Sequence, residues 1–332
     1  MKGSVTISDI TAAPGEKKFG YMKIGESPAF DISLPIGIVN GSEEGPRICL
    51  IAGSHPCEYP GIDATIRLYQ ETNPSELKGT IVTVPVVNIL GFDRYISYVC
   101  PIDGLNLSFQ VPGKLDGNFS QLTNYYLEKI VYESNYFMDL HGAELNELLI
   151  AYTIFYKTGS EKVDSVTAEM ARLAGTPFIE QRTEEGAGKY WPTTTLFVGA
   201  PKRGIPSIVV ESGVGLGSYD EGDILNHVNG VRNILKYLKM LPGEPTKPAI
   251  KQRMFNDSQE VRVKHGGLFY PVVKLGDIVK RSQKLGFVKN LEGRVVEDVI
   301  SSEDGFVHMI IPKHVVNTTD VVFYIGKNVR DL

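Results

Sequence analysis

The stretch Ile48-Cys49-Leu50-Ile51-Ala52 is apolar at every position, halts at Gly53-Ser54, and then presents His55, Pro56, Cys57 and Glu58. A strand with no polar alternation cannot keep one face in water. It belongs inside a parallel or mixed sheet that is covered by helices on both faces. Gly79–Asn88, Tyr136–His141 and Pro206–Gly213 contain further runs of this kind. Helical spacing falls between them. Residues 58–72 carry Ile62, Ile66 and Tyr69 on one side with Thr65 beside them, and 119–133 and 160–174 also read as helices. A helix over 220–241 sets Ile224, Leu225, Val228, Val231, Leu235 and Leu238 on one face, with acids in its first turn and lysine in its last, as the helix dipole favours. A strand at 148–156, a short one at 177–180 and a helix from about Thr193 complete an alternation that predicts an α/β sandwich. Residues 1–47 are β-rich. Asn40-Gly41 predicts a hairpin turn between an alternating strand at Phe30–Val39 and the strand at 47–53.

The pattern changes at Pro242-Gly243-Glu244-Pro245-Thr246-Lys247-Pro248, a stiff polar linker. Two domains are expected, 1–245 and 246–332, and the length of 332 residues suits two. The second contains short strands parted by Gly-Asp and Asp-Gly turns, which predicts a small β-sandwich or barrel. It resembles the lipoyl/biotinyl type of β-sandwich, but the turn near Ser301–Gly305 has no lysine, so no lipoyl or biotin arm is expected.

Imidazole and carboxylate are ligands that suit a divalent zinc, and a catalytic zinc takes three protein ligands and keeps a fourth position open. His55 and Glu58 sit on the turn from a strand into a helix, and the third ligand is expected where another strand stops at a histidine, His141. One Zn2+ per chain, held by His55, Glu58 and His141, is the resulting expectation. Cys57 lies between two of these ligands, but neighbouring side chains on a tight turn diverge, so it should point elsewhere. Asp139 shares a strand face with His141 and is placed to orient a ligand. Glu211 ends the run Ile208-Val209-Val210 and reads as a buried carboxylate near the metal, although a salt-bridged strand-end acid would fit the same pattern. All four residues lie at or just past strand C-termini, the edge where open α/β sheets bind ligands.

Composition narrows the class. A net charge of −5 with no basic patch argues against nucleic acid or an anionic membrane surface as partner. No apolar run is long enough to span a bilayer, and MKGSVTISDI lacks the apolar core of a signal peptide. Three cysteines without Cys-x-x-Cys spacing fit a reducing cytoplasm. The oligomeric state stays open, and a homo-oligomer is compatible with everything above.

Gly53-Ser54-His55-Pro56-Cys57-Glu58, Asn88, Pro101-Ile102-Asp103-Gly104-Leu105-Asn106-Leu107, Asp139-Leu140-His141-Gly142 and Val210-Glu211-Ser212-Gly213 together resemble the succinylglutamate desuccinylase/aspartoacylase family, part of the zinc carboxypeptidase superfamily. The resemblance runs from about residue 30 to the C-terminus. It implies a carboxypeptidase-like α/β/α fold, one zinc on His55, Glu58 and His141, and hydrolysis of an amide bond in a small N-acylated amine or amino-acid derivative. Glu211 matches the family's catalytic glutamate, and Arg94, with one inserted residue, corresponds to an arginine that steadies the carbonyl oxygen. The family continues Asp-Gly-x-Asn-Leu with Asn-Arg, a pair that binds a substrate carboxylate. Here Ser108-Phe109 stand in that place. Phenylalanine cannot make the bidentate contact, so an α-carboxylate substrate is put in doubt and Phe109 becomes an apolar wall. Asn106 and Phe109 are thus candidate substrate-binding residues, as is Tyr190 in the Gly-rich stretch Gly186–Pro192. The competing readings are a metallocarboxypeptidase and a non-catalytic zinc-binding protein of the same fold.

Overall fold

The structure is a computed structural model that describes residues 2–184 and 192–332. A ten-stranded mixed sheet runs through the molecule. Its spatial order is Arg330–Asp331, Arg253–Phe255, Phe178–Arg182, Tyr152–Tyr156, Ser207–Glu211, Tyr136–His141, Glu43–Ala52, Lys78–Val84, Asp31–Asn40 and Glu16–Glu26. The strands ending at Ala52, Val84, His141 and Glu211 are mutually parallel, so their C-terminal ends share one edge. Tyr152–Tyr156 runs antiparallel to Ser207–Glu211 and begins at that edge.

The apolar runs are buried on both faces, as their composition demands. Ile48, Leu50 and Ala52 point into one core, and Cys49 and Ile51 into the other. The first core lies under the helices Tyr59–Glu71, Glu161–Leu173 and Glu221–Tyr237, and the second under Phe119–Tyr132 and Leu196–Lys202. The result is an α/β/α sandwich. Leu225 departs from the expected apolar face of the last long helix, being 40% exposed. It follows Ile224 by one position, a rotation of about 100° that carries it out of the core.

The hairpin expected at Asn40-Gly41 does not form. Lys78–Val84 inserts between Asp31–Asn40 and Glu43–Ala52 and pairs with both. Two strands that are apolar on both faces gain more from a shared central neighbour than from an edge-to-edge hairpin. The buried Asn40 side chain fastens this crossing by donating to Gly3 O and Ala12 O and accepting from Thr80.

Two small sheets make up most of the C-terminal region. One contains Asp257–Arg262, Val321–Lys327, Gly305–Ile310 and Ile278–Val279; the other contains Val295–Ile300, Lys284–Lys289, Gly267–Pro271 and Val315–Val316. Phe269, Leu285, Val307 and Phe323 fill the space they share. This unit is stitched to the large sheet. Arg253–Phe255 and Arg330–Asp331 are strands of the large sheet, and Leu148–Leu149 pairs with Gly305–Ile310. Among the described residues no helix is long and apolar enough to cross a membrane.

Two glycines set the spacing at the shared edge. Gly53 has φ +62°, the left-handed region in which the strand can turn sharply towards His55. At Gly61 a Cβ would lie 2.4 Å from the carbonyl oxygen of Leu140, so the first long helix rides directly on the strand that carries His141. Gly61→Ala should force these elements apart, at about 1–3 kcal/mol for overpacking. The expected outcome is a lower thermal midpoint together with weaker metal affinity, and an unchanged affinity would show that this spacing does not matter.

Candidate metal centre

Pro60 lies in the first turn of the helix Tyr59–Glu71, where its missing N–H costs nothing, and Glu58 is the N-cap. The Glu58 side chain does not cap that helix. Its Oε1 lies 2.9 Å from His55 Nδ1, and its Oε2 lies 2.7 Å from His141 Nδ1. Gly142 N–H also donates to Oε2, at 3.2 Å. Donor atoms of the three residues all fall within 4.8 Å of one another. Two Nδ1 atoms and a carboxylate, converging from two strand ends, form a His2Glu donor set that fits a three-ligand zinc with an open position.

The outer ring nitrogens also have neighbours. His55 Nε2 lies against the Asn106 amide, 3.3 Å from its oxygen, with Ser108 Oγ at 3.5 Å. His141 Nε2 lies 3.1 Å from Asp139 Oδ1, close enough for ion pairing but not aligned as a hydrogen bond, and that oxygen has no other hydrogen-bond partner among the described residues. Groups of this kind orient metal-ligating histidines.

The charges are strongly coupled. Burial opposes ionisation of Glu58, but His141 and His55 outweigh it and hold the carboxyl down at about 2. Burial likewise opposes a charge on His141, yet Asp139 and Glu58 lift its pKa well above the usual imidazole value. His55 is also raised, burial being outweighed by Glu58. Glu211 goes the other way. Burial drives its pKa well above the ordinary carboxylate value, His141 opposes this, and Glu58 adds to it.

Sheet register builds the remaining wall. Val209 lies beside Asp139, Glu211 beside His141, and Tyr152 beside Glu211 on the other side. Glu211 Oε2 is buried and has no hydrogen-bond partner among the described residues. Two chambers meet here. One, of about 80 Å³, has walls of Leu107, Ile154, Leu196, Phe197 and Val209, with Arg182, Asp139 and His141 also on its surface. The other, of about 250 Å³, is bounded by His55, Glu58, Glu147, Glu211, Tyr98 and Tyr324. Phe109 and Glu211 line both.

Most of the residues expected from the sequence meet at this place. Asn106 stands behind His55 and accepts from Ser108 N–H, so its position is that of a ligand-orienting group. Arg94 is not brought in. It caps the short helix Ile89–Asp93, is exposed, and lines neither chamber. Tyr190 lies outside the described residues. Cys57 is buried and absent from the ligand group. Asp103 accepts from Ser120 N–H and Oγ at the start of a helix, and Glu144 accepts from Ser97 Oγ and Tyr98 N–H, so both brace loops.

The sequence reading did not single out Arg182, Glu180, Tyr98, Tyr152 or Tyr324. Arg182 donates from Nε and Nη2 to Glu180 at 2.9 and 2.8 Å. The Glu-x-Arg spacing that puts them on one strand face was visible, but what that face meets was not.

Because imidazole must shed its proton to bind a cation, the raised pKa values of His141 and His55 have a measurable consequence. At pH 7 the ion-free site holds protons that zinc must displace, so affinity should rise with pH. Calorimetry in buffers of different ionisation enthalpy should show release of about one proton or more per zinc. Buffer-independent heats would contradict this charge state.

Comparison with known proteins gives the chain relatives of one kind. A relative from Halomonas elongata, N-alpha-acetyl-L-2,4-diaminobutyric acid deacetylase, is 26% identical over 280 residues, 82% of this chain and 80% of its own. Among solved structures, a succinylglutamate desuccinylase/aspartoacylase from Rhodobacter sphaeroides superposes with TM-score 0.83 at 22% identity, over 94% of this chain and 95% of that one. The product-bound ectoine utilization protein EutE (DoeB) from Ruegeria pomeroyi also gives TM-score 0.83, at 20% identity and 94% of each chain. These two share the fold. The succinylglutamate desuccinylase/aspartoacylase catalytic domain is matched over residues 44–238, more than half of the sequence and including every residue of the His2Glu group, and the chain belongs to that family.

Proposed function

We propose that this protein is a zinc-dependent deacylase that hydrolyses the amide bond of a small N-acylated amine or amino-acid derivative. The observation that carries the reading is the His55–Glu58–His141 donor set with the Glu211 carboxylate beside it, whose buried Oε2 has no hydrogen-bond partner among the described residues. Zinc held there would polarise the scissile carbonyl and bring the pKa of water down from about 16 towards about 7.

The protein's own groups do the rest. Glu211, whose pKa burial raises, takes a proton from the attacking water and returns it to the amine nitrogen as the C–N bond breaks. A carboxylic acid and a free amine result. Asn106 and Asp139 hold the two histidines in orientation. Phe109, common to both chambers, gives the substrate an apolar wall and helps exclude water. The Halomonas elongata relative, a deacetylase by name, supports an N-acyl amide as the bond cleaved. Ser108-Phe109, in place of a carboxylate-binding Asn-Arg pair, weigh against peptide C-termini as substrates. The free, buried cysteines support a reducing, cytoplasmic setting.

Glu211→Gln keeps the shape of the side chain and removes the base. Against a panel of N-acetyl, N-formyl and N-succinyl amines it should lower kcat by about 10²–10⁴-fold while the bound zinc, read by elemental analysis, stays at the wild-type level. Full turnover in this variant would remove Glu211 from the mechanism.

A further inference from the structure

The family resemblance implies an arginine that steadies the carbonyl oxygen, but Arg94 lies in solvent, away from both chambers. Negative charge still gathers on that oxygen when water adds to an amide carbonyl, and a fixed donor aimed at it is among the largest contributions to rate. Among the described residues the larger chamber has no lysine or arginine in its lining. Arg182, in the smaller one, directs Nε and Nη2 at Glu180. The Asn106 amide lies against His55, Gly142 N–H donates to Glu58, and the Tyr324 hydroxyl donates to Glu260 at 3.4 Å. Two phenols remain, Tyr152 beside Glu211 and Tyr98 beside His55.

Tyr98 is held in a strained conformation. Its φ is +60°, a left-handed value that few aromatic residues adopt. Val99 N–H donates to Ser97 O at 2.7 Å across it, so Tyr98 is the centre of a γ-turn, and the positive-φ form of that turn is rare. The surrounding loop holds the turn in place. Glu144, itself buried, accepts from Ser97 Oγ at 2.8 Å and from Tyr98 N–H at 3.2 Å. Asn88 donates to Val99 O at 3.1 Å, and Val99 bridges to Asn106. Strain kept by that many contacts collects where a side chain must be aimed. Here it sets the phenol ring at 73° to the His55 ring, centroids 5.0 Å apart, with the hydroxyl on the Glu147 carboxyl. A phenol holds its proton at neutral pH, and burial pushes Tyr98 further the same way. Burial also raises the pKa of Glu147. In its acid form that carboxyl donates to the phenolic oxygen, and the single phenolic proton stays available to another acceptor.

We propose that Tyr98 is a catalytic residue whose hydroxyl donates a hydrogen bond to the substrate's carbonyl oxygen as negative charge develops there. This inference rests on the deacylase reading and deepens it. The hydroxyl keeps its proton throughout. It holds the oxygen while water adds to the carbonyl carbon and a C–O electron pair moves onto that oxygen. The hydrogen bond slackens when the pair returns and the C–N bond breaks, Glu211 having supplied the amine's proton.

Tyr98→Phe removes the hydroxyl and keeps the ring against His55. With the best substrate of the N-acyl amine panel it should lower kcat by about 10²–10³-fold, with KM and bound zinc unchanged. Tyr152→Phe, the same change at the other phenol, should cost far less. A binding measurement does not depend on turnover. Methylphosphonate has the tetrahedral, anionic shape of the water adduct, and calorimetry on the zinc-loaded protein should show Tyr98→Phe weakening it by about tenfold or more. Planar acetate should be weakened less. Undiminished turnover in Tyr98→Phe, a loss confined to Tyr152→Phe, or loss of zinc together with turnover would overturn the inference and leave the deacylase reading intact. Failure to hydrolyse any N-acyl amine would overturn that reading instead. The phosphonate comparison would then decide the inference, with equal affinity in wild type and Tyr98→Phe rejecting it.

Discussion

The carboxylate of Glu58, buried and facing the Nδ1 atoms of His55 and His141, is the interaction on which the rest of the structure turns. A buried charge that loses its partner costs about 3–5 kcal/mol, so these three residues must arrive together or not at all. The backbone is arranged to deliver them. Gly53 turns the chain at the end of its strand, Pro60 sits in the first turn of the helix just past Glu58, and Gly61 lets that helix approach the strand that ends in His141. Sheet register then sets Glu211 next to His141. Each device is local, but together they place four chemically distinct groups at one sheet edge.

The surroundings of that edge are divided between two parts of the chain. The loop after the Lys78–Val84 strand supplies Tyr98, Asn106 and Phe109, while Met309 and Tyr324 come from the small C-terminal sheets. The β unit is therefore part of the site's wall. Its attachment through Leu148–Leu149 fixes the segment that carries Glu147, so a change in the C-terminal sheet would be felt in the chamber. Arg182 and Glu180, on a strand three places along the sheet from that of His141 and antiparallel to it, close the opposite side with a paired charge.

Much of this was legible in the sequence because the signals are local. An apolar run that ends in Gly-Ser-His can hardly be anything but a buried strand opening onto a sheet edge, and Tyr136–His141 repeats the message. The long helices follow from apolar spacing. What could not be read was adjacency. Asn40-Gly41 looks like a hairpin turn, and only the tertiary fold shows that Lys78–Val84 lies between the two strands it was expected to join. Glu147 and Tyr324 are far apart in the chain and carry no shared pattern, so their common chamber was invisible. Arg94 is placed apart from both chambers for a related reason. Its motif spacing is close, but the short helix it ends leaves the side chain in solvent.

The central claim is that one metal ion is held by His55, Glu58 and His141. Anomalous diffraction at the zinc edge from crystals of the zinc-loaded protein tests this most directly. The account predicts a single strong peak about 2.0–2.2 Å from both Nδ1 atoms and from a Glu58 oxygen. Zinc bound at Cys57 or elsewhere, with no peak between the two histidines, would contradict it.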